Sequence, residues 1–156
     1  MQINDNGERV STVTESEILG FFGEYRFLSN FEPCNVDIGD GNVYRSSEAA
    51  FMAQKTHDVN DKKKIAAMSP SEAKKYGQTV TLRGDWESYR TVAMMKALIA
   101  KFSQNPALAE KLLNTRGKYL EETNNWHDMF WGVEDDVGLN MLGHCLMLVR
   151  DDILSF

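Results

Sequence analysis

Cysteine is scarce in this chain and badly placed for metal chemistry. Cys34 and Cys145 are the only two, far apart in sequence, and neither belongs to a Cys-x-x-Cys pair. A reduced cytosolic compartment is the simpler reading, with one disulfide between them as the alternative. The three histidines, His57, His127 and His144, are scattered and form no His-Glu-x-x-His pattern, so no metal ligand set is expected. His144 and Cys145 are neighbours on a predicted helix and point in different directions, which makes them a poor nucleophile–base pair. Neither a P-loop nor a dinucleotide glycine fingerprint is present. No apolar run is long enough to cross a membrane, and the opening MQINDNGERV lacks the basic-then-apolar layout of a secretory signal. A cytoplasmic, soluble protein without a membrane partner is therefore expected. Positive charge is also in deficit, with 17 basic against 23 acidic residues. That balance opposes non-specific binding to polyanions. It leaves Lys62–Lys64 with Lys74-Lys75 as the one local basic patch, and such a run is usually a solvated helix face.

No linker rich in Pro, Gly or Ser and no internal repeat divides the 156 residues, which fit one domain with an ordinary hydrophobic core. Residues 1–17 are polar and read as a flexible N-terminal arm, with packing starting at Ile18 and Leu19, so that 18–156 forms the domain. Alternation of Val36, Ile38 and Val43 around Asp40-Gly41 predicts a short β-hairpin over Cys34–Tyr44. Ser46 or Ser47 caps a helix predicted through Lys55. Another helix is predicted from Asn60 to Met68. Ser69-Pro70-Ser71-Glu72 combines a capping box with proline at the first helical position, and Gly77 supplies the stop. From Asp85, Trp86, Tyr89, Val92, Ala93, Met95, Ile99 and Phe102 recur at helical spacing. Asn105-Pro106 opens a helix through Leu113, Lys118–Glu121 is a candidate strand, and Asn140 caps a last helix to about Asp152. The sum is α+β: mainly helical, with a small sheet or hairpin.

Two segments carry candidate chemistry. Glu48 and Lys55 are seven residues apart, close to two turns of the predicted helix, so they share a face with Phe51 between them. Because helical side chains lean toward the N-terminus, the long Lys55 reaches back toward Glu48. A carboxylate and an amine can thus flank one pocket; equally, each can simply complement the helix dipole at its own end. The second segment, Asn125–Gly132, places Trp126, Asp128 and Trp131 where a solvated loop normally carries small polar residues. Tryptophan can stack on a flat heterocycle and Asp can orient a hydroxyl or water; the alternative is that both tryptophans pack on the core. Arg83-Gly84-Asp85-Trp86 is open in the same way, between an anion-facing Arg and a solvated Arg beside a capping Asp.

A set of fragments in fixed order goes further: Phe27-Leu28-Ser29-Asn30-Phe31, Ser47-Glu48-x-x-Phe51-x-Ala53-Gln54-Lys55, Leu82-Arg83-x-Asp85-Trp86, Met94–Phe102, Leu120-Glu121, Asp128-x-x-Trp131-Gly132, and Gly138-x-Asn140-x-Leu142-Gly143 followed by Leu146-Met147 and Arg150. From about residue 20 to 152 the chain resembles the YbiA-like, or NADAR, family. Ala49-Ala50 and the arm before residue 18 depart from its pattern, which bears on substrate preference more than on reaction type. The resemblance implies a YbiA-like fold and hydrolysis of a ribosyl C1′–N bond without a cofactor. Family members act on ribosylamino-pyrimidine phosphates formed early in riboflavin synthesis, and others remove ADP-ribose from guanine bases. Cleaving such a bond builds positive charge on the sugar, which a nearby carboxylate and a proton donor relieve. On that basis Glu48 is the expected general acid/base and Lys55 a nucleophile forming a Schiff base. Asp128 would hold ribose hydroxyls or water. Trp131, Trp86 and Phe27 are the expected stacking residues. Ser29, Asn30, Gln54 and Asn140 are the expected hydrogen-bonding contacts, and Arg83 a phosphate contact. The partner is a small phosphorylated N-riboside, with nucleic acid entering only as an ADP-ribosylated substrate. A non-catalytic NAD or ADP-ribose sensor is the alternative outside enzymology.

Overall fold

Capping serines and buried alanines set the helices of the central segment. The computed structural model describes residues 1–154; Ser155 and Phe156, the end of the expected 18–156 domain, lie outside the described residues. The chain is mainly helical with two small sheets, as expected for α+β. It divides into two compact units, Asn30–Ala109 and Met1–Ser29 together with the chain from Glu110 onward.

The Asn30–Ala109 unit is built on α1 (Ser47–Ala53), all seven residues of which are buried, and which packs on α2 (Val59–Ala66), α3 (Pro70–Tyr76) and α4 (Trp86–Gln104). Ser46 caps α1, its side chain accepting from Ala49 N at 3.0 Å. The helix expected through Lys55 ends at Ala53, with Gln54 as its C-cap. No Gly or Pro stops it. Instead the Lys55 carbonyl accepts from Arg83 N–H at 2.7 Å, so it is taken by a tertiary bond. Asp58, rather than Asn60, starts α2 by accepting from Asp61 N at 2.9 Å. The Ser69–Glu72 capping box forms as read, with Gly77 at the C-cap. The buried face of α4 differs from the expected one: Val92 is exposed, and Met94, Ala97, Leu98 and Lys101 are buried with Trp86, Ala93 and Phe102. The predicted Cys34–Tyr44 hairpin shrinks to one antiparallel bridge, Val36 with Tyr44. Its turn is held by the Asp40 carboxylate, which accepts from Asn42 N and from the Tyr44 hydroxyl. Cys34 and Cys145 are free thiols.

In the other unit the first residues are not the loose arm that their polarity suggests. β1 (Gln2–Ile3) pairs antiparallel with β2 (Arg9–Val10), and β3 (Thr12–Val13) pairs antiparallel with β4 (Glu17–Leu19). Short alternations of β-branched residues suffice because side chains close the turns. Asn4 Oδ1 accepts from the N–H of Asn6 and Glu8, and Ser11 Oγ donates to Gly20 O while accepting from Phe22 N. β4 pairs in parallel with β5 (Tyr119–Glu121). A 3-10 helix spans Gly23–Leu28, α5 (Pro106–Leu113) begins within Asn30–Ala109 and ends in this unit, and α6 (Met141–Leu148) runs on into a π-helical turn, Val149–Ile153. Asn140 does occupy the N-cap of α6, at φ +51°, but its side chain makes no cap bond. No helix among the described residues is long and apolar enough to cross a membrane.

Candidate active site

Glu48 lies in the first turn of α1 and is only 7% exposed. A carboxylate there complements the helix N-terminus, and its own N–H donates to the Asn30 carbonyl at 3.1 Å. Although Lys55 falls just past the helix, its N–H still donates to Met52 O at 3.1 Å, which keeps it within reach of the α1 face. Its amine is half-buried, 5.8 Å from the centroid of the Trp86 ring. Phe51 packs on that same ring at 5.2 Å. Burial pushes the Lys55 amine below the ordinary lysine range, and the Glu48 charge, close enough to act on it, pulls the other way. The unit therefore presents a buried carboxylate, a desolvated amine and an indole together. Such an amine spends more of its time uncharged at neutral pH than a solvated lysine does, which is what nucleophilic attack on a carbonyl-type carbon requires.

Other expected contacts in this unit are already engaged. Asn30 Oδ1 accepts from Ser47 Oγ at 2.9 Å, and Asn30 Nδ2 donates to the Met94 sulfur; its amide thus fixes the start of α1. Arg83 forks onto Asp85, at 2.6 and 3.2 Å, and stacks 3.7 Å from the Tyr89 ring centroid. That pair answers the ambiguity of the sequence differently from either alternative, because Asp85 binds Arg83 instead of capping α4. Gln54 is 4% exposed; Nε2 donates to the carbonyls of Ala50 and Ala93, while Oε1 is buried with no hydrogen-bond partner among the described residues. A buried acceptor left unmatched costs about 1–3 kcal/mol.

The other unit carries Asp128 and Trp131 on a loop. Asp128 Oδ1 accepts from Trp131 N at 2.9 Å. The carbonyls of Phe130, Trp131 and Gly132 accept from the N–H groups of Met141, Leu142 and Asn140. The loop thus satisfies the donors that every helix leaves open at its first turn, and this seats Trp131 on the end of α6. Trp131 also meets the Phe130 ring edge-on at 4.7 Å. Trp126 stacks under Arg9 at 5.0 Å. Asn140, expected to bind substrate, is 2% exposed and spent on the chain. Oδ1 accepts from Glu122 N at 3.0 Å, and Nδ2 donates to Leu120 O at 2.9 Å and the Tyr119 hydroxyl at 3.1 Å. Phe27 is buried and lines a cavity of about 320 Å³ with Ile18, Tyr25, Lys111 and Lys118 among its walls. Ser29 ends the 3-10 helix, donating N–H to Arg26 O.

Sequence reasoning missed three features. Asn124 and Glu122 organise the Asp128 loop. Lys101 is fully buried, with its amine pushed down to about 8 by desolvation. The signal for Lys101 was available, since it stands at helical spacing from Met94, Ala97 and Leu98 on the apolar face of α4. Among the described residues no group of three or more His, Cys, Asp or Glu is arranged to hold a metal ion.

Comparison with known proteins adds a family to this geometry. The NADAR domain family matches residues 20–154. The N-glycosidase YbiA of Shigella flexneri is 35% identical over 154 residues, covering 94% of each chain. The chloroplastic riboflavin biosynthesis protein PYRR of Zea mays is 33% identical over 163 residues; the match takes in 90% of this chain and spans 26% of that longer protein. The NMR structure of the E. coli protein YbiA superposes with a TM-score of 0.78 at 33% identity, covering 94% of this chain and 90% of that one.

Proposed function

Because the chain belongs to the NADAR domain family and is an N-glycosidase of the YbiA type, we propose that it hydrolyses the ribose C1′–N bond of phosphorylated N-ribosides, early riboflavin intermediates among them. The observation that carries this is the grouping beside α1: a buried Glu48 in its first turn, a desolvated Lys55 just past its C-cap and the Trp86 ring at the start of α4. The riboflavin assignment is supported by the name of the maize relative.

In the proposed reaction the ring-opened sugar presents a C1′=N bond. Lys55 Nζ adds to C1′ and Glu48 passes one amine proton to the imine nitrogen. Glu48 then carries the second amine proton to the same nitrogen as the C1′–N bond to the heterocycle breaks, leaving the Lys55 imine and the free heterocyclic amine. Water then adds to the Lys55 imine and releases the sugar aldehyde and the free amine, so atoms and protons balance. In the Asn30–Ala109 unit Trp86 is the candidate stacking residue; in the other unit Trp131 is a candidate for stacking and Asp128 for the ribose hydroxyls or the water. Gln54 Oε1, without a donor among the described residues, is assigned to a sugar hydroxyl. Incubation with ribosylamino-uracil phosphate should liberate ribose 5-phosphate; no release at any protein concentration would reject this substrate class, and binding without release would favour a sensor.

One observation favours a second substrate for the same chemistry. Lys63 and Lys64 on α2, and Lys74 and Lys75 on α3, are exposed on two helices that pack together. A phosphate chain carrying ADP-ribosylated guanine needs such local charge. Turnover of an ADP-ribosylated guanine oligonucleotide that falls steeply with salt would support it, and an intact oligonucleotide would reject it.

A further inference from the structure

The side chain of Asn124 is 2% exposed, and among the described residues its hydrogen bonds all fall within Glu122–Asp128. Its Oδ1 accepts from the N–H groups of Trp126 and Asp128, both at 3.2 Å. Its Nδ2 donates to the Asp128 carbonyl at 2.8 Å and to the Glu122 carboxylate at 3.2 Å, with a longer approach to the Glu122 carbonyl at 3.4 Å. One amide therefore grips Asp128 by both its backbone N–H and its backbone C=O. Between Trp126 and Asp128, His127 sits at φ +66°, a conformation that non-glycine residues adopt at a cost. From that fixed backbone the Asp128 carboxylate reaches Trp131 N.

The glycine that follows Trp131 fits the same device. A Cβ at Gly132 would collide with the Glu122 carboxylate, the Glu122 carbonyl and Asn124 Nδ2. Gly132 leaves room for Glu122 to lie against the loop backbone and take the Asn124 donor. The carbonyls of residues 129–132 are held by N–H groups at the start of α6. Nearer Asp128 the ties are the single bridges Thr123 with Val133 and Glu134 with Val137, the His127 Nδ1 contact with Glu134 Oε2 at 2.7 Å, and the Asn124 amide.

We propose that Asn124, with Glu122 as its anchor, is a positioning residue that sets the Asp128 carboxylate and the Trp131 backbone for the reaction. It touches no substrate. The assignment rests on the role given to Asp128 above. A displacement of about 1 Å in a reacting constellation costs on the order of 10²-fold in rate, so a clasp of this kind acts on kcat and little on KM. Asn124→Asp is the sharp variant: it keeps the acceptor for both N–H groups but turns a second carboxylate oxygen toward the Asp128 carbonyl and the Glu122 carboxylate.

The test measures kcat and KM on ribosylamino-uracil phosphate for wild type, Asn124→Asp, Asn124→Ser, Asp128→Asn and the double variants, together with melting curves and the Trp131 amide resonance. The single Asn124 variants are expected to lose about 10–100-fold in kcat. In the Asp128→Asn background they should change it by less than about twofold. An equal loss in both backgrounds overturns the proposal, because a general structural defect would act whether or not the Asp128 carboxylate is present. Loss of the fold in both single variants overturns it too, making Asn124 a folding residue. Should Asp128→Asn keep wild-type turnover, or should the substrate not be hydrolysed, the role of Asp128 falls. The clasp is then judged by the Trp131 amide alone: a shifted or faster-exchanging resonance in Asn124→Asp upholds it, and an unchanged one overturns it.

Discussion

The segment Ser47–Lys55 and the segment Asn124–Gly132 hold candidate catalytic groups by opposite means. In the first, seven buried helical residues pack on three other helices; Glu48 takes its place from the helix, and Lys55, just past the C-cap, from burial and the backbone bonds to Met52 and Arg83. In the second there is no regular element; Asp128 and Trp131 are held by the amide of Asn124, by the α6 donors and by the space left at Gly132. The helical segment presets protonation, since the same burial that fixes Lys55 lowers its amine. The loop presets direction. Charge state is thus tuned where packing is dense, and orientation is set where single hydrogen bonds decide the path of the chain.

The comparison breaks most sharply at Glu48. Glu48→Gln keeps the shape of the helix start and removes the proton relay, so kcat should fall by about 10²–10⁴-fold with binding of the intact substrate retained. Equal loss of binding, seen by calorimetry, would place Glu48 in substrate affinity instead. Asp128→Asn should cost less, about 10–100-fold in kcat, and a steady-state assay that finds no loss would remove the loop from the chemistry. Asn140→Ala probes the support beneath the loop. Leaving Glu122 N and Leu120 O without partners should lower stability by about 2 kcal/mol and melting by about 6 °C, with KM unchanged in the remaining folded enzyme.

The smallest effect per pH unit concerns Lys101, and it tests whether dense packing also tunes charge on α4. Its amine is pushed down to about 8 in the folded chain, against about 10.4 when unfolded. Between these values the unfolded chain holds a proton that the folded chain has shed, so this residue makes stability rise with pH, by on the order of 1 kcal/mol per pH unit. Relative to Lys101→Met, wild type should gain in denaturant midpoint from pH 8 toward 10; a flat difference would contradict the buried neutral amine.

How legible each region was follows from the same contrast. The Ser69 capping box, the helix from Trp86 and the serine cap of α1 are local patterns, and the sequence displays them. The end of α1 is not, because Arg83 N–H stops it from outside. The first seventeen residues look disordered by composition, yet Asn4 and Ser11 fold them through side chain–backbone bonds that polarity alone conceals. Asn30 and Asn140 were visible as motif members, but whether an asparagine meets substrate or the rest of its own chain depends on neighbours distant in sequence, the Met94 side chain for one and the Leu120 carbonyl for the other. Asn124 gave no signal at all. It stands beside Asn125 in a polar run, and only the path of the loop separates a buried clasp from a solvated side chain.

Borohydride trapping during turnover of ribosylamino-uracil phosphate puts the pairing of Glu48 and Lys55 to its most direct test. Reduction should leave a ribose phosphate adduct, located by peptide mass at Lys55, that forms in wild type and is absent from Lys55→Ala. Continued turnover with no adduct, or an adduct that persists in Lys55→Ala, would contradict the account.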